Sequence, residues 1–392
     1  MTGVQTCALP ISTTVSGING AIAVTTANVN AGVYALSETG PSGYTAGAWS
    51  CSAGTLAGSS LTLTLGETAV CAINNNDDPA KLTLVKTLTN DNGGSSLVSD
   101  FTLKATGPTT VSGITAAAAV TNATVNAGTY ALSETGPTGY LAGAWSCTSG
   151  TLTGSSLALG SGETATCTVN NNDIAPKLTL VKTLTNDNGG VSVVADFTLT
   201  ATGPSTITGL TGAAVITNAA VTAGNYALSE SGPTGYLAGA WNCSSGTLVG
   251  STLTLALNQT ATCTINNNDI SPKLTLVKTI NNNSGGSNVV ADFILKATGP
   301  TTIIGATGSA SVTNANVNVG TYALSETGPS VYTAGLWSCS AGSLAGSNLT
   351  LALNQSATCT LNNDDTPATI TLNKISNEIG RASCRERVYS SV

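Results

Sequence analysis

The sequence predicts an all-β protein of tandem Greek-key β-sandwich domains set in a rod. Three observations carry that prediction. The chain repeats itself every 96 residues, its segments alternate apolar and polar residues over strand lengths, and no segment has a helical period. The string SETGPSGY at Ser37 returns as SETGPTGY at Ser133, SESGPTGY at Ser229 and SETGPSVY at Ser325. Trp49, Trp145, Trp241 and Trp337 keep the same step. A unit of this size can bury its own core and is too long for one turn of a solenoid, so the period marks separate domains.

Within the unit that opens at Lys81, seven strands are expected in order: KLTLVKTL (81–88), DFTLKATG (100–107), AAVTNATV (118–125), TYALSET (129–135), YLAGAWSCT (140–148), TGSSLALG (153–160) and ETATCTVNN (163–171). The turn signals NDNGG, ATGP, NAG and TGPTG separate them. Seven short strands with regular turns read as a Greek-key sandwich. The linkers NDIAP and NDISP are short and contain proline, which stiffens the connection between units.

The frame begins at KLTLVKT, with Lys81, Lys177 and Lys273, and returns as TITLNKI at Thr369. It divides the chain into a truncated repeat at 13–80, complete repeats at 81–176, 177–272 and 273–368, and the start of a further repeat at 369–377. Residues 1–12 and 378–392 fall outside the period. EIGRASCRERV and TGVQTCALPI each resemble the translation of a common short-read sequencing adapter, and both ends are expected to be foreign. All the arginine of the chain, Arg381, Arg385 and Arg387, lies in the second of these segments.

Without the ends, nine lysines face seventeen acids, and there is no histidine and no arginine. That balance argues against a nucleic-acid partner. It also removes the usual general base and the commonest metal ligand. No apolar run is long enough to span a membrane as a helix. No cofactor and no metal are expected. Two cysteines per repeat lack the further ligands a metal site needs; their fixed spacing predicts the disulfides Cys51–Cys71, Cys147–Cys167, Cys243–Cys263 and Cys339–Cys359. Disulfides imply an oxidising, extracellular or cell-surface setting.

Strand alternation then points at one polar cluster. Leu82, Leu84, Lys86 and Leu88 share the apolar face of the first strand. Tyr130, Leu132 and Glu134 share a face of TYALSET. Ala165, Cys167, Val169 and Asn171 share a face of the last strand. A lysine, a glutamate and an asparagine thus converge on the interior, where charge is rare unless paired. Two readings are open. One is a buried Lys–Glu ion pair capped by asparagine. The other is a self-made amide: a desolvated lysine becomes neutral and nucleophilic, a buried glutamic acid protonates the carboxamide oxygen and relays protons, and ammonia leaves. The asparagines stand in runs, so Asn170 is the alternative to Asn171, and parity favours Asn171.

The segment LTLVKT with its inward lysine, YALSETGPTGY, and a closing strand ending in asparagine resemble the B-type prealbumin-like repeats of collagen adhesins and SpaA-type pilins. The stretch between glutamate and proline is one residue shorter here than in that family's pattern. The resemblance implies a prealbumin-like sandwich and three self-crosslinking sites: Lys86, Glu134 and Asn171; Lys182, Glu230 and Asn267; Lys278, Glu326 and Asn363. The glutamates would be the catalytic acids. The first repeat keeps Glu38 and Asn75 without a lysine, and Lys374 lacks the rest of its repeat. The cysteines are an addition to the family's pattern, so a disulfide either joins the amide or replaces it.

Other acids carry less. Glu67 and Glu163 become Gln259 and Gln355 in later repeats, so no charge is needed there. Asp100, Asp196 and Asp292 sit opposite Phe101 and its equivalents and are expected to face solvent. NDNGG and NNNDD offer oxygen ligands for Ca²⁺, yet their residues are those of ordinary turns. The expected function is the stalk or fibre region of a secreted or cell-surface bacterial protein, with neighbouring repeats of the same chain as partners and no enzymatic activity beyond self-crosslinking. The alternative is an adhesin whose repeats themselves grip an extracellular glycan or matrix protein.

Overall fold

The computed structural model describes residues 14–375. The unit that starts near Lys81 has ten strands: β1 Ala80–Thr89, β2 Thr102–Thr106, β3 Val111–Gly113, β4 Ala123–Val125, β5 Gly128–Thr135, β6 Tyr140–Ala142, β7 Ser146–Cys147, β8 Thr151–Thr153, β9 Ser156–Leu159 and β10 Thr164–Asp173. One sheet has the order β3-β2-β5-β9-β8. The other runs β4-β1-β10-β6, with β7 also paired to β10. The two following units repeat both sheets.

The seven expected strands survive with local differences, each with a physical reason. YLAGAWSCT is cut into β6 and β7 at Gly143, whose N–H turns to the Asn170 carbonyl at 2.8 Å. TGSSLALG contains a hairpin turn at Gly154 (φ +61°), a conformation natural to glycine, so β8 and β9 form where one strand is expected. The first half of AAVTNATV is a 3-10 turn, Ala118–Val120. Residues 111–113 form the short edge strand β3 on β2, too brief for alternation to show.

Between the sheets lies an apolar core of Leu82, Leu84, Leu103, Tyr130, Leu132, Leu157, Ala165, Cys167 and Val169, among others. Of these, Leu82, Leu84, Tyr130, Leu132, Ala165, Cys167 and Val169 are residues that alternation put inward. The longest pairing is between the first and last strands. β1 and β10 run parallel over nine residue pairs, from Lys81 opposite Thr164 to Thr89 opposite Asn172. A parallel pair with the entering chain at one end and the leaving chain at the other is loaded in shear when the chain is pulled.

Successive units meet through the same hydrogen bonds. The Ile174 N–H donates to the Gly139 carbonyl of the preceding unit at 2.8 Å, and its carbonyl accepts the Asn258 N–H of the following unit at 2.8 Å. Ile270, between Gly235 and Asn354, and Asp78, between Gly43 and Gly162, repeat this. The loop after β1 adds a bond, Ala223 N–H to the Asn92 carbonyl at 2.8 Å, matched by Val319 to Asn188 at 2.9 Å. Glycine is required in that loop: Gly93 has φ +90°, and a Cβ there would stand 2.7 Å from the Ala223 carbonyl oxygen.

Candidate functional site

Lys86 and Asn171 reach one site because β1 and β10 are in parallel register. Lys86 lies opposite Val169, so Asn171 is its diagonal neighbour on the same inward face. Glu134 arrives from β5 in the facing sheet. The Lys86 Nζ is 2.8 Å from the Glu134 carboxylate, and the same distance separates Lys182 from Glu230 and Lys278 from Glu326. The three lysines and Asn171, Asn267 and Asn363 are buried.

In the second and third units the asparagine Nδ2 donates to the other carboxylate oxygen, Asn267 to Glu230 and Asn363 to Glu326, each at 2.6 Å. The glutamate thus faces the lysine with one oxygen and the carboxamide nitrogen with the other. This differs from the sequence expectation, in which the acid addressed the carboxamide oxygen. That oxygen, Oδ1 of Asn171, Asn267 and Asn363, is buried without a hydrogen-bond partner.

The remaining surroundings are apolar or aromatic. The Lys86 Nζ stands 4.8 Å from the Phe101 ring centroid, with Lys182 over Phe197 at 4.8 Å and Lys278 over Phe293 at 4.6 Å. Tyr140 holds Phe101 edge-on at 5.5 Å. The Lys86 backbone N–H donates to Thr115 Oγ1 at 2.6 Å. Burial pulls the Lys86 ammonium below the ordinary lysine value, and Glu134 opposes that shift without cancelling it; Lys182 and Lys278 behave alike. Desolvation disfavours the charged form, so the site enriches the neutral amine. Asn170, the alternative in the asparagine run, is exposed and is hydrogen-bonded to Thr87 and Thr89.

The four disulfides join the pairs that the spacing gives: Cys51–Cys71, Cys147–Cys167, Cys243–Cys263 and Cys339–Cys359, each closing 20 residues. In the complete units each fastens the short β7 or its counterpart to the strand that carries the asparagine. Cys7 and Cys384 lie outside the described residues, as does the whole of the adapter-like ends, 1–12 and 378–392.

Sequence reasoning missed Asp173, Asp269 and Asp365. All three are buried. The Asp173 carboxylate accepts the N–H groups of Asp91 at 3.1 Å, Asn92 at 2.8 Å and Gly94 at 2.7 Å, and the Asn92 side chain at 3.1 Å. The oxygen-rich NDNGG loop therefore spends its nearby carboxylate on its own backbone. Parity from Asn171 would have placed Asp173 inward, but the residue reads as part of a linker. Asp100 is exposed, as expected, and caps the 3-10 turn through the Leu97 N–H at 2.8 Å. Glu163 and Gln259 serve one purpose, accepting a turn N–H from Gly160 at 2.6 Å and from Ala256 at 2.9 Å.

The model of the SpaA-type prealbumin-like fold domain matches the chain four times, over residues 5–73, 77–169, 173–265 and 269–361. The chain belongs to this family, as a tandem array. The first match begins inside the segment 1–12 that the period sets apart. Among solved structures, the chain is similar to the TIE protein of Bacillus anthracis, with 13% identity, a TM-score of 0.43, and coverage of 78% of this chain and 55% of that one. It is also similar to the pilus adhesin SpaC of Lactobacillus rhamnosus GG (12% identity, TM-score 0.24, 78% and 46% covered). A third likeness is to two B repeat units of the collagen binding protein of Staphylococcus aureus (11% identity, TM-score 0.20, 78% and 85% covered). The chain spans about half the length of the first two. No curated protein matches it. The family assignment rests on the four repeat matches.

Proposed function

We propose that these repeats are the structural stalk or fibre region of a secreted or cell-surface bacterial protein, and that each complete unit closes itself with an amide between its first and last strands. The observation that carries this reading is the glutamate that faces the lysine with one oxygen and the asparagine nitrogen with the other. A proton leaving the lysine Nζ and a proton needed by the departing nitrogen then share one carboxylate. Neutral Lys182 attacks Asn267 Cγ, the Nζ–Cγ bond forms, and the Cγ–Nδ2 bond breaks. Glu230 takes the proton from Nζ and delivers it to Nδ2, which leaves as ammonia. Folding supplies the proximity. The buried disulfide supports an oxidising compartment, and the pinned linkers support a part that transmits force from unit to unit.

Intact mass tests the chemistry. A protein spanning 81–368 is expected to lack one ammonia per complete unit, beyond the hydrogens lost to disulfides. Glu134→Ala should restore that ammonia in its own unit alone. A wild-type mass that shows the disulfides and no ammonia loss would reduce the site to a buried ion pair. Lys86→Met should then cost little, provided Glu134 can become neutral.

A further inference from the structure

The first strand of each complete unit has a strand beside it along its whole length on one side only. β10 accompanies β1 from Lys81 to Thr89, whereas β4 pairs with residues 80–82 alone. Past Leu82 no strand covers that other edge, and Lys86, whose side chain is the buried amine of the site, lies on this stretch. A backbone N–H at a buried residue needs a partner. Here a side chain supplies it. The Lys86 N–H donates to Thr115 Oγ1 at 2.6 Å, that of Lys182 to Thr211 Oγ1 at 2.7 Å, and that of Lys278 to Thr307 Oγ1 at 2.5 Å.

A tight turn places each threonine. The Ala117 N–H donates to the Ile114 carbonyl at 3.0 Å, Ala213 to Leu210 at 2.9 Å, and Ser309 to Ala306 at 3.0 Å. The residue after the threonine is left-handed in all three: Ala116 at φ +67°, Gly212 at +86° and Gly308 at +84°. That position of such a turn favours glycine. The first unit keeps the conformation with an alanine, against its local preference. The same hydroxyl thus meets the same N–H in three units whose turn residues differ.

We infer that Thr115, Thr211 and Thr307 are positioning residues for the amide closure proposed above, an inference that rests on that reading. The hydroxyl acts through the lysine backbone. Asn171 is reached along the diagonal of a parallel pair, and that diagonal is fixed only while Lys86 keeps its register opposite Val169. With β10 on one edge and the hydroxyl on the other, the Lys86 backbone is held from both sides. Without the hydroxyl this edge is free to move outward, and Nζ moves with it. Closure requires the reacting atoms within about 3–3.5 Å, and a misplacement of about 1 Å costs on the order of 100-fold in rate. The hydroxyl makes and breaks no bond to carbon. The lysine proton still passes to the glutamate and on to the departing nitrogen.

The test uses the full chain, synthesised in a cell-free mixture that permits disulfides and quenched in acid at intervals. Peptide mapping reads ammonia loss unit by unit, so the first and third units are controls within each molecule. Thr211→Val removes the hydroxyl and keeps the branched shape. It should slow closure of the second unit alone, by roughly tenfold or more. Thr211→Ser returns the hydroxyl and should recover most of the wild-type rate. A purely structural role is told apart in Lys182→Met, whose second unit cannot close. Adding Thr211→Val there should speed hydrogen exchange at the amide of position 182 and leave the core strands of that unit as protected as before. Closure of the Thr211→Val unit at the wild-type rate, no recovery in Thr211→Ser, or loss of protection throughout the unit in the Lys182→Met background overturns the inference. The self-closing reading is judged separately. A wild-type chain that loses no ammonia from any unit sinks that reading and the positioning role with it. A wild-type chain that closes, beside a Thr211→Val chain that closes as fast, sinks the positioning role alone.

Discussion

Residues 14–79 and the complete units carry nearly the same sequence and differ in how much of it is buried. Val120 is fully buried, while its counterpart Val24 is 38% exposed. Glu230 and Asn267 are hydrogen-bonded at the buried site of the second complete unit, while Glu38 and Asn75 are both exposed. The disulfide is present in both, so cross-linking the last strand to its neighbour does not by itself build the core. What the first unit lacks, among its described residues, is the counterpart of β1. That strand pairs with β4 on one side and β10 on the other and places Leu82 and Leu84 in the core. An alternating pattern stabilises a strand only when both the pairing partner and the opposite layer exist. The site of the complete units follows the same rule, because the lysine that the carboxylate faces is carried by that strand.

The largest effect that would sharpen this comparison is mechanical. If the amide closes between Lys182 and Asn267, tension enters at the first strand, crosses the new bond and leaves by the last, bypassing everything between. The wild-type complete units should then give no unfolding step when the chain is stretched. Glu230→Ala should free its own unit to extend by on the order of 200 Å, at about 3.4 Å per residue and with the disulfide loop still closed. Residues 14–79 serve as the internal control, extending at low force in either protein. An unfolding step from every wild-type unit would break the comparison, leaving the parallel pairing as the only reinforcement.

A second expected effect converts one kind of unit into the other. Leu180, the counterpart of Leu84, is fully buried. Leu180→Asp places an unpaired carboxylate in the core and should remove the first strand from its sheet, at a cost of roughly 3–5 kcal/mol. Hydrogen-exchange protection in that unit should fall toward that of residues 14–79, while the third unit stays protected. Uniform protection across all complete units after the substitution would show that the first strand is not what organises the core.

Much of this was legible in the sequence, and the reasons are specific. The period gave the number of units. Alternation put Lys86, Glu134 and Asn171 on inward faces, and the spacing of the cysteines gave their pairing. Less legible was anything that depends on short strands or on chain geometry. Residues 111–113 are too few to show alternation, and the hairpin at Gly154 hides inside an apolar run. The parallel register that sets Lys86 diagonal to Asn171 has no signature within either strand. Nor did the pattern reveal which carboxamide atom the glutamate faces. Asp173 escaped because linker composition masked its parity, and its partners are backbone N–H groups about 80 residues earlier in the chain.

The disulfide should have an intermediate effect. Cys243→Ala with Cys263→Ala opens a loop of 20 residues, which the loop-entropy model values at about 3 kcal/mol. The loss should appear as a lower denaturation midpoint for the second unit. The same change at Cys51 and Cys71 should matter less, because that bond has little core to hold in register. Equal losses in both units would mean that the first unit is better organised than its exposure suggests.

The smallest expected effect concerns Asp269, which ties the end of the last strand to the loop that meets the next unit. Burial pushes this carboxyl up, but the N–H groups of Gly190 and Asn188 and the Asn188 side chain outweigh it, holding the group below the ordinary aspartate value of 3.8. A depressed carboxyl contributes stability that is present above its unfolded value and is lost as the pH falls through the folded one. Asp269→Asn keeps the shape and leaves some of those donors with a poorer acceptor, at a cost of about 1–3 kcal/mol near neutral pH. The gap between wild type and variant should therefore narrow as the pH drops below the aspartate range, because the wild-type carboxyl becomes protonated and accepts no better than the amide. The loop also supplies the Asn188 carbonyl to Val319 across the junction, so the variant should loosen the second and third units relative to each other, which small-angle scattering would register as a broader distribution of end-to-end distances. A stability gap that does not change with pH would show that Asp269 acts through shape alone and that its charge does not hold the loop.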